Sequence, residues 1–219
     1  MAARTLAQLQ ASVQALGFGT DTATQQAGWL NDEYRAVAGL RRWQWLQGEA
    51  TFATVAGTSS YTPGALRNLD SVRVADAQGN EQYMEYKPIN FVLDKLHRFN
   101  QLTDRGAPRY WTWFQQKVYL YPIPDAVYTV QYEFVSNITA MASAGDTTLM
   151  PEAYDEILVW GAAARGFVRQ NNWLQRDFAQ SQRQALLNAM LAEYGKDQTQ
   201  NSDEVEWSGM WNSPTRPWR

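Results

Sequence analysis

Cysteine is absent from the 219 residues. That excludes a disulfide framework, Cys-ligated zinc and a thiol nucleophile. Histidine occurs once, at His97, so a multi-histidine metal centre is excluded as well. Charge is scarce: Asp, Glu, Lys and Arg make up 19% of the chain, against about a quarter in ordinary soluble proteins. The balance is slightly acidic, with a net charge of −3 and a pI near 5.2. A protein that grips nucleic acid by its phosphates carries a basic patch and a high pI, and neither is present. No apolar run approaches the roughly 20 residues of a membrane span. The opening Met1-Ala2-Ala3-Arg4-Thr5-Leu6 lacks the apolar centre of a secretion signal, so synthesis in a cytoplasm is expected. There is no internal repeat.

Aromatic residues are plentiful instead: ten Trp, eleven Tyr and eight Phe. With 45% hydrophobic residues the chain can bury a real core and is not disordered by composition. Few charges with many Trp and Tyr point to a surface covered by partners, because these side chains are enriched at interfaces.

Periodicity divides the chain into four segments. Leu6, Leu9, Val13 and Leu16 form a helical stripe that Gly17 and Gly19 interrupt. Thr22 and Gln25 match a capping box, so a second helix starts there. Its stripe is Ala27, Leu30, Tyr34, Val37 and Leu40, and it ends near Trp43, Trp45 and Gly48. The period then changes to two. Tyr128, Val130, Tyr132 and Phe134 alternate with polar residues, as in a half-buried strand. Arg109–Phe114 and Lys117–Tyr121 read as a hairpin turning at Gln115 and Gln116. Ser71–Val74 and Gln82–Tyr86 flank Gly79-Asn80 as another. Phe91, Val92, Lys95 and Leu96 suggest one short helix after Pro88.

Helical spacing resumes after Pro151, a residue tolerated in a first turn. Glu152, Asp155 and Glu156 suit the positive end of the helix dipole. The stripe is Tyr154, Ile157, Leu158, Gly161, Ala164 and Val168. Gly161, Ala164 and Gly166 make one side of this helix thin, and packing between subunits is expected there. Asn171-Asn172 marks a break, and a last helix runs from Trp173 to Tyr194, with Gly195 as its cap. The tail from Asp197 has no period, yet carries Trp207, Met210, Trp211 and Trp218. Disordered tails usually lack such residues, so docking on another chain is expected. The fold class is therefore α+β. A helical bundle body (1–48 and 150–196) carries a small antiparallel β-rich insert (49–149) and an extended C-terminal arm (197–219).

A search for catalytic chemistry finds no constellation. His97 has no evident orienting partner. Gly57-Thr58-Ser59-Ser60-Tyr61 lacks the closing glycine of a nucleophile elbow. Gly17-Phe18-Gly19 follows a helix and lacks the third glycine of a dinucleotide loop. Asp32 and Glu33 are adjacent on a helix and point apart. Asn137-Ile138-Thr139 is a glycosylation sequon with no secretion signal to give it meaning. Tyr110, Trp111, Trp113, Phe114, Tyr119 and Tyr121 could stack on sugars or bases. A nucleic-acid platform brings a basic groove, and only Arg105, Arg109 and Lys117 lie near. Packing within the β unit and against a neighbour is the simpler account. A carbohydrate- or receptor-binding tail module is the alternative. No enzymatic activity, metal or cofactor is expected.

The order of the elements resembles a known family. The residues that carry the likeness start with Trp29-Leu30-Asn31-Asp32-Glu33-Tyr34-Arg35, Trp43-Gln44-Trp45-Leu46 and Gly57-Thr58-Ser59-Ser60-Tyr61-Thr62-Pro63. Ala107-Pro108-Arg109-Tyr110, Val118-Tyr119-Leu120-Tyr121-Pro122-Ile123-Pro124 and Val130-Gln131-Tyr132-Glu133-Phe134 follow. The last run is Leu149-Met150-Pro151-Glu152-Ala153-Tyr154-Asp155-Glu156-Ile157-Leu158-Val159-Trp160-Gly161-Ala162. Together they resemble the head-to-tail adaptor proteins of short-tailed bacteriophages, also called connector or tail accessory proteins. The likeness covers about residues 5–195. It implies a virion neck protein, a homo-oligomeric ring of about twelve copies under the portal vertex. It also implies arms reaching the portal protein, tail nozzle or tail tube proteins on the far side, and DNA passing through the lumen without specific binding.

Overall fold

The structure is a computed structural model and describes residues 3–64, 66–75, 79–91 and 105–194. It is α+β, with helices and two four-stranded sheets. The chain forms two compact units, one from Met1–Trp45 with Ala140–Arg219 and the other from Leu46–Thr139.

The first unit is helical. Helix α1 (Leu6–Val13) starts at a capping box in which Thr5 and Gln8 satisfy each other's backbone NH groups. It buries Leu6, Leu9 and Val13. A π-helical turn, Gln14–Phe18, follows, with Gly17 at φ 105, a backbone conformation open to glycine. This turn drives Phe18 fully into the core. Helix α2 (Ala23–Gly39) opens on the Thr22/Gln25 capping box that the sequence predicts. Its core face carries Leu30, Tyr34, Val37 and Ala38, but Gln26, Asn31 and Glu33 are buried with them. Gln26 donates to the carbonyls of Phe18 at 2.9 Å and Asp21 at 3.2 Å, so the turn before α2 keeps its bonds inside the core. Leu40, predicted on the apolar stripe, lies beyond the last turn of α2 and is 54% exposed. Trp43 closes the element: its ring is fully buried, and Nε1 donates to the Val37 carbonyl at 2.7 Å.

Residues 140–149, grouped with the insert by sequence, hydrogen-bond to the helices. Asn31 pairs with both backbone groups of Met141, at 2.9 and 2.8 Å. Leu6 N–H donates to the Asp146 carbonyl, and Leu149 N–H to the Tyr34 hydroxyl. Helices α3 (Glu156–Arg169) and α4 (Trp173–Tyr194) complete the unit. Helix α3 is its centre, burying nine of its fourteen residues. The Asn171-Asn172 break is as expected: Asn171 takes φ 55, and the Asn172 side chain accepts from Gln175 N–H at the start of α4.

The second unit holds strands β1 (Gln47–Ala53), β2 (Ser60–Tyr61), β3 (Leu66–Ala75), β4 (Glu81–Tyr83), β5 (Glu85–Tyr86), β6 (Tyr110–Phe114), β7 (Lys117–Tyr121) and β8 (Thr129–Ser136). One sheet runs β1-β8-β3-β4 and is antiparallel throughout. The other runs β2-β7-β6-β5; it is antiparallel except at the two-residue β5–β6 pair, which is parallel. The β6–β7 hairpin turns at Gln115 and Gln116, both at positive φ, as two-residue hairpin loops require. The inner faces of both sheets share one core, which includes Leu69, Val72, Trp111, Val118, Leu120, Val130 and Tyr132. Alternation in β8 slips after Tyr132, so that Val135 is buried while Phe134 is partly exposed, where β3 pairs irregularly. The Phe134 ring lies over Gly48, where a Cβ would stand 2.8 Å from it. The short helix expected around Phe91–Leu96 lies largely outside the described residues, as does His97.

Candidate interaction surfaces

The glycines on α3 are filled from within the chain. A Cβ at Gly161 would lie 2.3 Å from the Glu33 side chain, and one at Gly166 would lie 2.4 Å from the Phe18 ring. Phe18 lies 4.8 Å from Phe167 with the rings tilted at 56° and meets Trp29 edge-on at 5.8 Å. The close approach expected for a neighbouring subunit at Gly161 and Gly166 is therefore made by α2 and the turn before it. Ala164, also buried, lines a groove of about 480 Å³ with Glu33, Gly161, Arg165, Val168, Gln180, Arg183 and Gln184.

Electrostatics hold this body together. Glu33 is buried and accepts from Arg183 Nε of α4, while Arg165 stands 3.7 Å away. Asp32, next to Glu33 in sequence, is exposed, pairs with Arg35 at 3.3 Å and also stands 3.9 Å from Arg165. Asp155 was expected only to compensate a helix dipole. The structure buries it completely, accepting from Thr148 Oγ1 at 3.0 Å and from Arg4 N–H at 3.2 Å. Burial pushes its carboxyl above the usual range against the pull of those bonds. These groups fasten distant parts of the chain and serve no evident chemistry. Among the described residues no cluster of His, Asp and Glu is placed to hold a metal ion, and no helix is long and apolar enough to cross a membrane.

The surface is more informative. Helix α4 has 22 residues and buries only Ala179, Leu187 and Met190. Its first two turns expose Leu174 at 80%, Trp173 at 52% and Phe178 at 51%. Phe178 packs edge-on against Trp160 of α3 at 5.8 Å, and Val168 stands exposed at the end of α3. Clustered large apolar side chains of this kind mark interaction sites. In the β unit the exposed apolar residues are Val55, Tyr83, Tyr86, Phe114 and Val127. Trp111 is in the core, its Nε1 donating to the Met84 carbonyl at 3.2 Å, and Trp113 packs against that core. Of the six strand aromatics, Trp111 and Trp113 are thus committed to the core, Tyr110, Tyr119 and Tyr121 are half-buried and Phe114 is exposed. The tail residues Trp207, Met210, Trp211 and Trp218 lie outside the described residues.

The helical unit thus anchors a buried carboxylate, Glu33, to partly exposed arginines and displays apolar side chains on the longest of its described helices. The chain belongs to the SU10 adaptor protein family, which it matches over residues 4–217. It is a bacteriophage adaptor, a virion component of the head–tail kind that binds other phage head and tail proteins. The match continues through the tail, which the resemblance read from sequence left out. Among curated proteins none matches the chain.

Proposed function

We propose that the chain is one subunit of a ring at the neck of a short-tailed phage, joining the portal protein to the tail. About twelve copies close the ring, as heterologous contacts do when their rotation closes. The helical body (1–48 and 150–196) packs between neighbours, and the β-rich insert (49–149) faces outward or toward tail nozzle or tail tube proteins. The arm (197–219) reaches the portal through Trp207, Met210, Trp211 and Trp218. DNA passes through the lumen during ejection. A subunit with net charge −3 gives that channel no reason to hold the genome tightly.

The observation that carries this reading is the apolar display on α4. Leu174, Trp173 and Phe178 are too exposed to serve the subunit's own core, and a neighbouring copy is the partner that a ring supplies. Leu174→Asp tests it. The site is 80% exposed, so the variant keeps its fold. Losing the burial of one leucine and desolvating a carboxylate weakens each contact by about 2 kcal/mol or more, repeated around the ring. Sedimentation of the variant mixed with portal is expected to show no complete ring. Normal ring formation by the variant would remove α4 from the interface.

A further inference from the structure

We propose that the outer edge of β1 accepts an extended strand from a different protein, one whose side chains alternate between basic and apolar. The site lies wholly within the second unit and is independent of the α4 contact.

Backbone hydrogen bonding defines this edge. Strand β1 pairs with β8 along Gln47–Ala53 without a register shift and has no strand on its other side among the described residues. Thr54 N–H donates to the Tyr128 carbonyl at 2.9 Å. By the alternation of an antiparallel pair, Gly48, Ala50 and Phe52 then bond to β8. The N–H and C=O groups of Glu49, Thr51 and Ala53 therefore point away from the sheet, and none has a backbone partner among the described residues. The row ends at Val55, whose N–H donates to the Tyr61 hydroxyl at 3.0 Å. Folded proteins normally blunt such edges. Here β4 has three residues, and β2 and β5 two each, so those edges are too short to recruit a strand. Strand β1 has seven residues, with no proline and no bulge against β8.

The two faces beside the edge specify the guest, because side chains of an added strand alternate between them. On the inner face they meet Ala50 and Phe52, half-buried against the core, with Phe52 stacked on Tyr61 at 4.9 Å. An apolar side chain completes that cover. On the outer face they meet Glu49, which accepts from Arg73 at 2.8 Å and from the Gln131 amide. The same guanidinium also stands 3.4 Å from Glu133 and 3.5 Å from Glu81. One cation thus serves three carboxylates, each about half exposed, and this face keeps an excess of negative charge. Opposite charges on neighbouring strands stabilise a sheet, and like charges directly opposite destabilise it. A lysine or arginine beside Glu49 fits. A second copy offering its own β1 or β4 brings Glu49 or Glu81 to a face already negative. The guest therefore belongs to a different protein.

Amide hydrogen exchange of the full chain, resolved to single residues, tests this with the synthetic peptide acetyl-Thr-Lys-Val-Lys-Val-Lys-Thr-amide. With about 1 mM peptide the Glu49, Thr51 and Ala53 amides are expected to exchange about tenfold more slowly, as a dissociation constant of about 0.1 mM gives. The same peptide N-methylated at every lysine and valine keeps its charge and loses its ladder bonds. A third peptide carries Glu in place of Lys. Both are expected to leave the three rates unchanged. No slowing with the lysine peptide, or equal slowing with either control, overturns the proposal. Protection already present without peptide and lost on dilution also overturns it, by giving the edge to a second copy. Thr51→Pro removes one outward N–H and spares the bonds to β8. With its fold matched to wild type by circular dichroism, it is expected to gain no protection at Glu49 and Ala53 from the lysine peptide. Full protection in that variant would place the peptide elsewhere and overturn the assignment.

Discussion

A chain lacking residues 203–219 is expected to fold and to join no portal-bearing heads. The described helices and the strand core lie within residues 3–194, outside the deletion. What is removed is Trp207, Met210, Trp211 and Trp218. Each buried indole contributes on the order of 4–6 kcal/mol gross at the usual area coefficient. Ordering an extended segment costs roughly 1–2 kcal/mol per residue, so one arm alone binds modestly. In a ring every arm after the first binds at high effective concentration, and the deletion is felt in all copies together. Purified truncated protein added to adaptor-less heads is expected to lower particle completion by about a hundredfold or more. Normal completion would show that the arm does not dock on the portal.

The second large effect falls in the strand core. Trp111→Ala is expected to destabilise the protein by about 3–5 kcal/mol, the range for deleting a buried aromatic ring. The ring is 4% exposed in a cluster shared by both sheets, and the truncation also leaves the Met84 carbonyl without its donor. Urea denaturation followed by circular dichroism measures the loss. This outcome bears on function as well. A sugar-binding tryptophan is presented to solvent, and its removal spares the fold. A Trp111→Ala protein as stable as wild type would return the β unit to the carbohydrate-binding alternative.

Local signals were legible in the sequence because their physics is local. Thr22 and Gln25 are three residues apart, and the box they form depends on nothing else. The β6–β7 hairpin and the Asn171-Asn172 break are likewise set by neighbouring residues. Long-range pairing was not legible. Glu33 and Arg183 are 150 residues apart, and nothing near Glu33 announces that it is buried. Asp155 read as a dipole charge because its partner Arg4 is near only in space. The glycine pattern on α3 correctly signalled close approach, but a pattern does not say whether the approaching group belongs to the same chain. Phe18 and Glu33 supply it here. Stripe reasoning also misplaced residues at helix ends: Leu40 and Val168 fit the spacing and face solvent at 54% and 42%. For Val168, with Trp173, Leu174 and Phe178, that failure is informative, since large apolar side chains left exposed among the described residues mark an interaction surface.

Electron microscopy of the purified protein, alone and mixed with portal, tests the central claim most directly. The account predicts that the mixture forms a closed ring of adaptor subunits seated on the portal, with density for the arms entering it and α4 at the contacts between copies. Subunits that stay single beside bare portals would contradict it.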